Sequence, residues 1–320
     1  MLSRSVAAAL VLALPCAAQT LEDLRRDLRQ RLGEVHFAQA LGGLVLASDE
    51  LELSGAKFDF DDESRTELAA LVLPFQRTLR PFADERFGLY FEGAVGHARA
   101  TQRSSDLYSG RVPGFETAVD TDWSTYSALV GFGLSYDLTP TLQVSAIGDL
   151  GLAYLANDAD YSGPGAAVTA AIADGIAFNW DALASCHGTA ARVDWSCPLD
   201  DERELELIAR YDLRWTDTLS SDDPAQDFAT RLQWLTLRGD VTGPTGIELL
   251  GGRLGWRGIL GYRAFLEGDL FGAEDFFQIG GALELAEQQA LPLLGGMTLS
   301  AGIFVGAELS GWIVGFNVSF

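Results

Sequence analysis

The chain has 320 residues, of which 48% are apolar and 35 are glycine, and its formal net charge is −23. This acidic balance excludes a protein that follows nucleic-acid phosphates, because such proteins bind through Lys and Arg. Basic residues are also too few for a polybasic surface that binds lipid headgroups. No apolar run approaches the roughly 20 residues that a membrane-spanning helix needs, which excludes a helical membrane protein.

Residues 1–18 have the pattern of a cleaved export signal. Arg4 gives a positive start, a short apolar core follows, and small residues precede Gln19. We expect cleavage after Ala18. Lipidation at Cys16 is disfavoured, because Pro15 stands where lipoprotein processing needs a small residue.

Residues 19–43 predict one amphipathic helix. Five apolar residues recur at helical spacing with arginines between them, namely Leu21, Leu24, Leu28, Leu32 and Val35. A helix of this kind fits inside a barrel lumen, where its arginines would meet carboxylates. It fits equally well on a membrane surface, so the sequence leaves both positions open.

From residue 44 onward the period of the pattern changes from helical to two. In residues 204–215 one face is apolar and the other is charged, and residues 126–138 carry aromatic residues at both ends of the apolar face. The same criterion predicts twelve strands near 44–60, 68–80, 87–100, 126–138, 142–155, 203–216, 228–241, 247–256, 259–271, 276–287, 297–308 and 310–320. We therefore predict an all-β transmembrane antiparallel barrel of about twelve strands over residues 44–320, in preference to a soluble β-sandwich.

The last strand ends on an aromatic residue. Its apolar face consists of Trp312, Val314, Phe316, Val318 and Phe320. This ending resembles the C-terminal signal that the barrel-assembly machinery reads in bacterial outer-membrane proteins, and the resemblance implies that machinery as a partner during insertion.

An even number of strands puts both termini on the periplasmic side and sorts the connections into outer loops and inner turns. In this count the two longest connections, residues 101–125 and 156–202, are extracellular. The tight connections at residues 138–141 and 257–258 are periplasmic. Within the second long loop, residues 166–180 are unusually apolar, which predicts either a helix folded over the outer mouth or a surface for another molecule.

The two cysteines that remain after export, Cys186 and Cys197, predict a disulfide within the same long loop, since disulfides persist outside the cytoplasm. The alternative is a zinc site. Such a site would lack ligands, because the sequence offers neither a CxxC motif nor a spaced pair of histidines to join His187.

We find no catalytic motif. The histidines are His36, His97 and His187, and no GxSxG motif accompanies them. His97, near a strand end, is the least implausible catalytic histidine. The acidic clusters at residues 59–63 and 220–223 lack the spacing of an EF-hand and predict solvated loops rather than cation sites. We expect no cofactor and no metal.

Charged side chains on the inner face of one strand predict a charged lumen. They are Glu204, Glu206, Arg210, Asp212 and Arg214. Such charges could pair with arginines of the N-terminal helix or tune ion passage through an open lumen.

A helix followed by about twelve strands and a terminal Phe320 resembles the translocator domain of autotransporters, and above all the solitary outer-membrane autotransporter barrels that lack a passenger. The resemblance covers the whole mature chain. It implies a helix inside the lumen and a monomeric outer-membrane barrel in contact with lipid and lipopolysaccharide. Residues 21–41 contain no Asn, the residue that many members use for self-cleavage. We expect a non-enzymatic barrel with a structural, surface-interaction or export role; the alternatives are a porin-like channel and a barrel hydrolase.

Overall fold

The computed structural model describes residues 20–33, 54–60, 66–104, 116–249, 251–270, 272–286 and 296–319. The predicted signal peptide, His36, the acidic residues 61–63 and Phe320 lie outside the described residues. So do residues 34–53, which hold the second half of the predicted helix and the start of the first predicted strand.

The described chain forms two α-helices and twelve strands. In chain order they are α1 (Leu21–Gly33), β1 (Ser54–Phe60), β2 (Glu67–Leu79), β3 (Phe87–Ser104), β4 (Ala118–Thr139), β5 (Leu142–Ser162), α2 (Ala166–Ala173), β6 (Trp180–Pro198), β7 (Glu204–Ser221), a 3₁₀ turn (Pro224–Gln226), β8 (Ala229–Leu249), β9 (Gly252–Glu267), β10 (Asp275–Ala286), β11 (Gly296–Val305) and β12 (Leu309–Ser319). No helix among these residues is long and apolar enough to cross a membrane.

The twelve strands close into one antiparallel barrel, in which each strand pairs with its sequence neighbours. The first and last strands complete the ring, with Ala56 of β1 opposite Ile313 of β12. Every described strand thus has a neighbour on both sides, as a strand structure in hydrocarbon requires. The predicted all-β barrel of about twelve strands with an N-terminal helix is confirmed.

The predicted count of twelve was reached through two compensating errors. Residues 156–202 are not one loop, because they contain the end of β5, α2 and the whole of β6. The strands predicted at 247–256 and 259–271 are largely one strand, β9. The turn predicted at Arg257-Gly258 is therefore wrong, and Arg257 pairs with Ala282 in the middle of the β9–β10 ladder.

The outside of the wall carries the apolar face that the period-two pattern predicts. Large apolar side chains stand exposed there from every side of the ring, among them Leu73, Val95, Phe132, Leu150, Leu207, Leu237, Leu260, Ile279, Leu299 and Val314. The described strands run from 22 residues in β4 to 7 in β1. Since about 9–11 residues cross a bilayer, the longest strands extend beyond it.

The inside of the barrel differs between its two ends. At the end of the β1–β2, β3–β4, β5–β6 and β7–β8 connections, hereafter the long-loop end, the interior is an apolar core that includes Trp123, Leu155 and Trp180. The indole rings of Trp123 and Trp180 meet edge to face, with centroids 5.7 Å apart. Towards the opposite, short-turn end the buried side chains are polar and charged, including Glu92, Ser145 and Asp212.

Candidate functional site

Helix α1 lies inside the long-loop end of the barrel. Leu24, Leu28 and Leu32, spaced one turn apart, belong to the same buried cluster as the inward side chains of the wall, and Leu28 is 0% exposed. The helix begins with a reciprocal cap, in which the amide of Thr20 donates to the Asp23 carboxylate (3.1 Å) and the amide of Asp23 donates to the Thr20 hydroxyl (3.2 Å). These hydrogen bonds from Thr20 lower the pKa of Asp23.

The arginines of α1 bind the loops around it. Arg25 donates to the backbone oxygens of Ala171 (2.9 Å) and Asp174 (3.1 Å), at the C-terminal end of α2, where a cation is favoured by the helix dipole. Arg29 pairs with Asp223 of the β7–β8 loop at 2.9 Å. The expected solvated acidic loop is therefore wrong for Asp223, whose carboxylate is largely buried and also caps the 3₁₀ turn.

The segment between β5 and β6 covers α1 as a lid, which we define as residues 163–179. The predicted helix over the mouth is confirmed by α2, whose Ile172 and Ala173 are buried against the apolar core. Asn179 sits at φ +55° and ties the lid to the wall, because its side chain bonds both backbone groups of Ala159. Gln226 of the neighbouring loop donates to the backbone oxygen of Gly175 at 3.0 Å. Helix, lid and loop thus form one connected closure.

A second set of contacts crosses the lumen nearer its middle. Arg210 of β7 makes two hydrogen bonds to the Glu92 carboxylate of β3, at 2.7 and 2.8 Å, and two more to Asp212. β3 and β7 stand four places apart in the ring, so these side chains meet through the interior. Gly131 makes room for Glu92, because a Cβ there would lie 2.7 Å from its Cγ.

Arg192 of β6 makes a second crossing. It pairs with Asp194 on its own strand at 2.6 Å and reaches Gln76 of β2 at 3.3 Å and the Tyr90 hydroxyl of β3 at 3.4 Å. Tyr90 in turn donates to Glu92 at 3.0 Å. The two crossings are therefore one hydrogen-bonded layer, which we call the crossing layer: Gln76, Tyr90, Glu92, Arg192, Arg210 and their partners Asp194 and Asp212.

Two volumes lie on either side of this layer. A cavity of about 180 Å³ towards the long-loop end has aromatic walls, with Phe58 stacked on Phe304 at 4.9 Å. A polar vestibule of about 450 Å³ lies at the short-turn end and is lined by the β4–β5 turn. Gln76 and Arg192 line both volumes, so the cavity and the vestibule adjoin at the crossing layer.

Other ion pairs lie flat against the wall. Arg257 of β9 bonds Asp240 of β8 at 2.9 Å and Glu284 of β10 at 2.6 Å, so this group joins adjacent strands only. Arg214 of β7 stands 3.6 Å from Asp149 of β5, and both are buried. The inner wall thus carries two kinds of ionic contact: those between strands one or two places apart, and those that cross the lumen.

The five predicted lumen charges have different surroundings. Arg210, Asp212 and Arg214 are buried in the interior, Glu206 lines the vestibule, and Glu204 is exposed at the start of β7. Sequence reasoning missed Glu92, Asp149 and Arg192, the inward charges on β3, β5 and β6. The signal available for Glu92 was a lone charge in the otherwise uncharged run of residues 87–95 at the start of β3.

The predicted Cys186–Cys197 disulfide is wrong. Both residues lie on β6, eleven positions apart, which at about 3.3 Å per residue is roughly 36 Å. A disulfide requires Cα atoms within about 7 Å. An odd spacing also places the two side chains on opposite faces of the strand.

Both described histidines stand on the wall. His97 stacks on Tyr126 with centroids 4.4 Å apart, and its Nδ1 lies 3.1 Å from the backbone oxygen of Thr125. His187, which was expected in a loop, lies on β6 and stacks on Trp215 at 5.5 Å. The structure places His97 and His187 in aromatic contacts on the exposed side of the barrel, away from the crossing layer.

The C-terminal strand faces outward as its alternation suggests. Trp312, Val314 and Phe316 of β12 are exposed on the wall, and Val318 is paired with Met297 of β11. β12 also forms the ring closure with β1. The side chains predicted as the assembly signal are thus on the strand that completes the barrel.

A closed twelve-stranded antiparallel wall with an apolar exterior and a helix in its interior defines an outer-membrane β-barrel of autotransporter type. Residues 57–236, more than half of the chain, match the model of the solitary outer membrane autotransporter beta-barrel domain, and the chain belongs to this family. No curated protein matches it.

Two solved structures share the fold at low sequence identity. The transport unit of the autotransporter AIDA-I from Escherichia coli is similar at TM-score 0.52 and 11% identity, over 100% of this chain and 99% of that one. The translocator domain of the autotransporter NalP from Neisseria meningitidis is similar at TM-score 0.51 and 11% identity, over 83% of this chain and 86% of that one. At such identities the likeness concerns the fold alone.

Proposed function

We propose that this protein is a non-enzymatic integral outer-membrane barrel, closed by its own helix, that acts through its surface rather than by passing solutes. The observation that carries the proposal is the burial of α1 inside the long-loop end, with Arg29 held by Asp223 and Arg25 held by the lid. An open channel requires a continuous polar path. Here an apolar core that includes Leu28 fills that end.

Two further features support this reading. The lid and the β7–β8 loop form a folded, hydrogen-bonded surface at the long-loop end, with Gln226 joining them. Ordered loops on a rigid scaffold are where barrel proteins bind partners. We propose that this end faces outward, that the barrel is a monomer in contact with lipid and lipopolysaccharide, and that the barrel-assembly machinery inserts it through β12.

The proposal is tested on the purified full chain in detergent. The barrel should migrate faster on a gel without boiling than after boiling, because a closed barrel resists unfolding by the gel detergent. In planar bilayers it should show no channels above the bare-membrane baseline.

Three other outcomes would each contradict a part of the proposal. Steady conductance of the unmodified protein would establish the porin alternative. Solubility without detergent, together with unchanged mobility on boiling, would overturn the barrel itself. Hydrolysis of lipopolysaccharide or peptide that disappears in His97→Ala while the mobility shift remains would show a barrel hydrolase.

A further inference from the structure

We propose that the crossing layer is a second closure of the lumen, which blocks ion passage independently of α1 and whose remaining charges determine ion selectivity once the contact between Glu92 and Arg210 is broken. The inference rests on the proposed function, because it needs a barrel that spans a membrane. It assigns a role to Glu92 and Arg210 that the helix closure does not include.

The geometry of the contacts is the first argument. Most ionic contacts of a barrel wall join neighbouring strands, as Arg257 and Glu284 do, and leave the lumen cross-section free. Arg210 instead joins β7 to β3 through two charge-assisted hydrogen bonds to Glu92, and it makes two more to Asp212 on its own strand. A contact between strands four places apart reduces the free cross-section to the remaining space on either side of it.

Burial and shape are the second argument. Glu92 is 1% exposed, and its position depends on Gly131, since any larger residue there would meet its Cγ at 2.7 Å. Arg192 extends the same layer towards β2 through Gln76 and Tyr90. The cavity and the vestibule meet at these side chains. The layer therefore adjoins two spaces that are large enough to hold water, and it is not part of the close-packed apolar core.

Charge is the third argument. A constriction lined by fixed charges selects ions by the sign of those charges. Within the layer the three carboxylates of Glu92, Asp194 and Asp212 are bound to the two guanidiniums of Arg192 and Arg210, so its positive charges are fully paired. Removing only Glu92 makes the charge beside the path more positive, and removing only Arg210 makes it more negative.

The experiment uses the full chain in four forms, each inserted in planar bilayers. A released-helix variant, Leu28→Asp with Arg29→Ala, places a carboxylate in the apolar core and removes the loop contact. A crossing variant, Glu92→Ala with Arg210→Ala, removes the lumen contact. The combined variant carries all four substitutions. The matched control replaces the crossing pair by Arg257→Ala with Glu284→Ala in the released-helix background, which removes the same charges from the wall.

Among these four forms we expect channels in the combined variant alone, with a conductance at least about tenfold above that of the released-helix variant and of the control. A charge swap, Glu92→Arg with Arg210→Glu, should restore the closed state in the released-helix background. In that background Glu92→Gln should shift the reversal potential towards anion selectivity, and Arg210→Gln towards cation selectivity. Release of α1 is verified by loss of amide protection over residues 20–33.

The failure of this inference and that of the proposed function are distinguishable. Channels in the released-helix variant, with Glu92 and Arg210 intact, would overturn the second closure and leave the helix closure standing. Channels in the control equal to those in the combined variant would show a general effect of lumen charge and also overturn it. A combined variant that keeps its heat-dependent mobility but stays closed contradicts it as well. Conductance of the unmodified protein would overturn the proposed function instead.

Discussion

Asp200 stabilises a turn at the short-turn end of the barrel, and its protonation state can be measured. Its carboxylate accepts a side-chain bond from Arg203 at 2.7 Å and the amides of Glu202 and Arg203 at 3.0 and 2.8 Å, which closes the β6–β7 turn. Chiefly because of the Arg203 side chain, the pKa of Asp200 falls to about 2.

We predict that Asp200 stays ionised in the folded barrel down to a pH of about 2. A lowered folded pKa means that its contribution to turn stability is present above the unfolded value of about 3.9 and is lost as the pH falls through 2. A carboxyl carbon titration by NMR should place the midpoint near 2, and Arg203→Ala should move it upward. A midpoint at the ordinary aspartate value with Arg203 present would contradict the turn geometry.

Gly131 offers a test of how tightly the crossing layer is built. We predict that Gly131→Ala destabilises the barrel by about 1–3 kcal/mol, because its Cβ overlaps a Glu92 side chain that Arg210 holds in place. Gly148→Ala is the control, since a Cβ there meets only one atom, at 3.9 Å. The measurement is the denaturant midpoint of unfolding from detergent.

The free-energy cost of Gly131→Ala should depend on Glu92 itself. In the Glu92→Ala, Arg210→Ala background the effect of Gly131→Ala should largely vanish, which a double-mutant cycle would detect as coupling. An equal cost in both backgrounds would mean that the glycine is required by the strand and not by the crossing layer.

At the scale of elements, α1 is a short helix that its surroundings stabilise. Thirteen residues are too few for a stable isolated helix in water, so its order depends on burial of the leucines and on the arginine contacts. We predict that Arg29→Ala raises the amide exchange of residues 20–33 while the mobility shift of the barrel is unchanged. The pair is partly buried, and its loss leaves the Asp223 carboxylate without that partner.

Arg26→Ala is the matched control. Arg26 is largely exposed and, within the described part of the chain, pairs with Asp23 of the same helix, a contact worth about a few tenths of a kcal/mol. Exchange in α1 that rises equally in both variants would show that the loop contact does not hold the helix.

The elements also show where sequence patterns suffice. β4 and β7 were predictable because large apolar and polar residues alternate, whereas β6 was missed because its inner face is made of small residues, such as Ala184 and Gly188, that carry little pattern. β9 was split because glycines interrupt its apolar face. The contact between Glu92 and Arg210 joins residues 118 positions apart, and no local pattern encodes which inward charges will meet.

At the scale of the whole molecule, closure of the ring depends on a single pairing that joins the two ends of the sheet. Among the described residues, β1 and β12 meet over seven pairs, fewer than any other adjacent strands except β1 and β2. Their backbones approach closely at Gly311, where a Cβ would lie 2.3 Å from the backbone oxygen of Lys57. Backbone cannot move aside as a side-chain tip can, so this glycine permits the seam.

We predict that Gly311→Ala weakens the seam and lowers the temperature at which half of the protein shifts from the fast to the slow gel band, at a cost of about 1–3 kcal/mol. Gly255→Ala, in β9, should leave that temperature nearly unchanged, because its Cβ would make only ordinary contacts at 3.4 Å and beyond. Since an open sheet edge leaves backbone groups unpaired in lipid, the seam should be where the barrel opens first, and Gly311→Ala should accelerate amide exchange in β1 and β12 before β4 or β5. Uniform acceleration around the ring would show instead that the barrel opens as one unit and that the β1–β12 pairing is not its weakest contact.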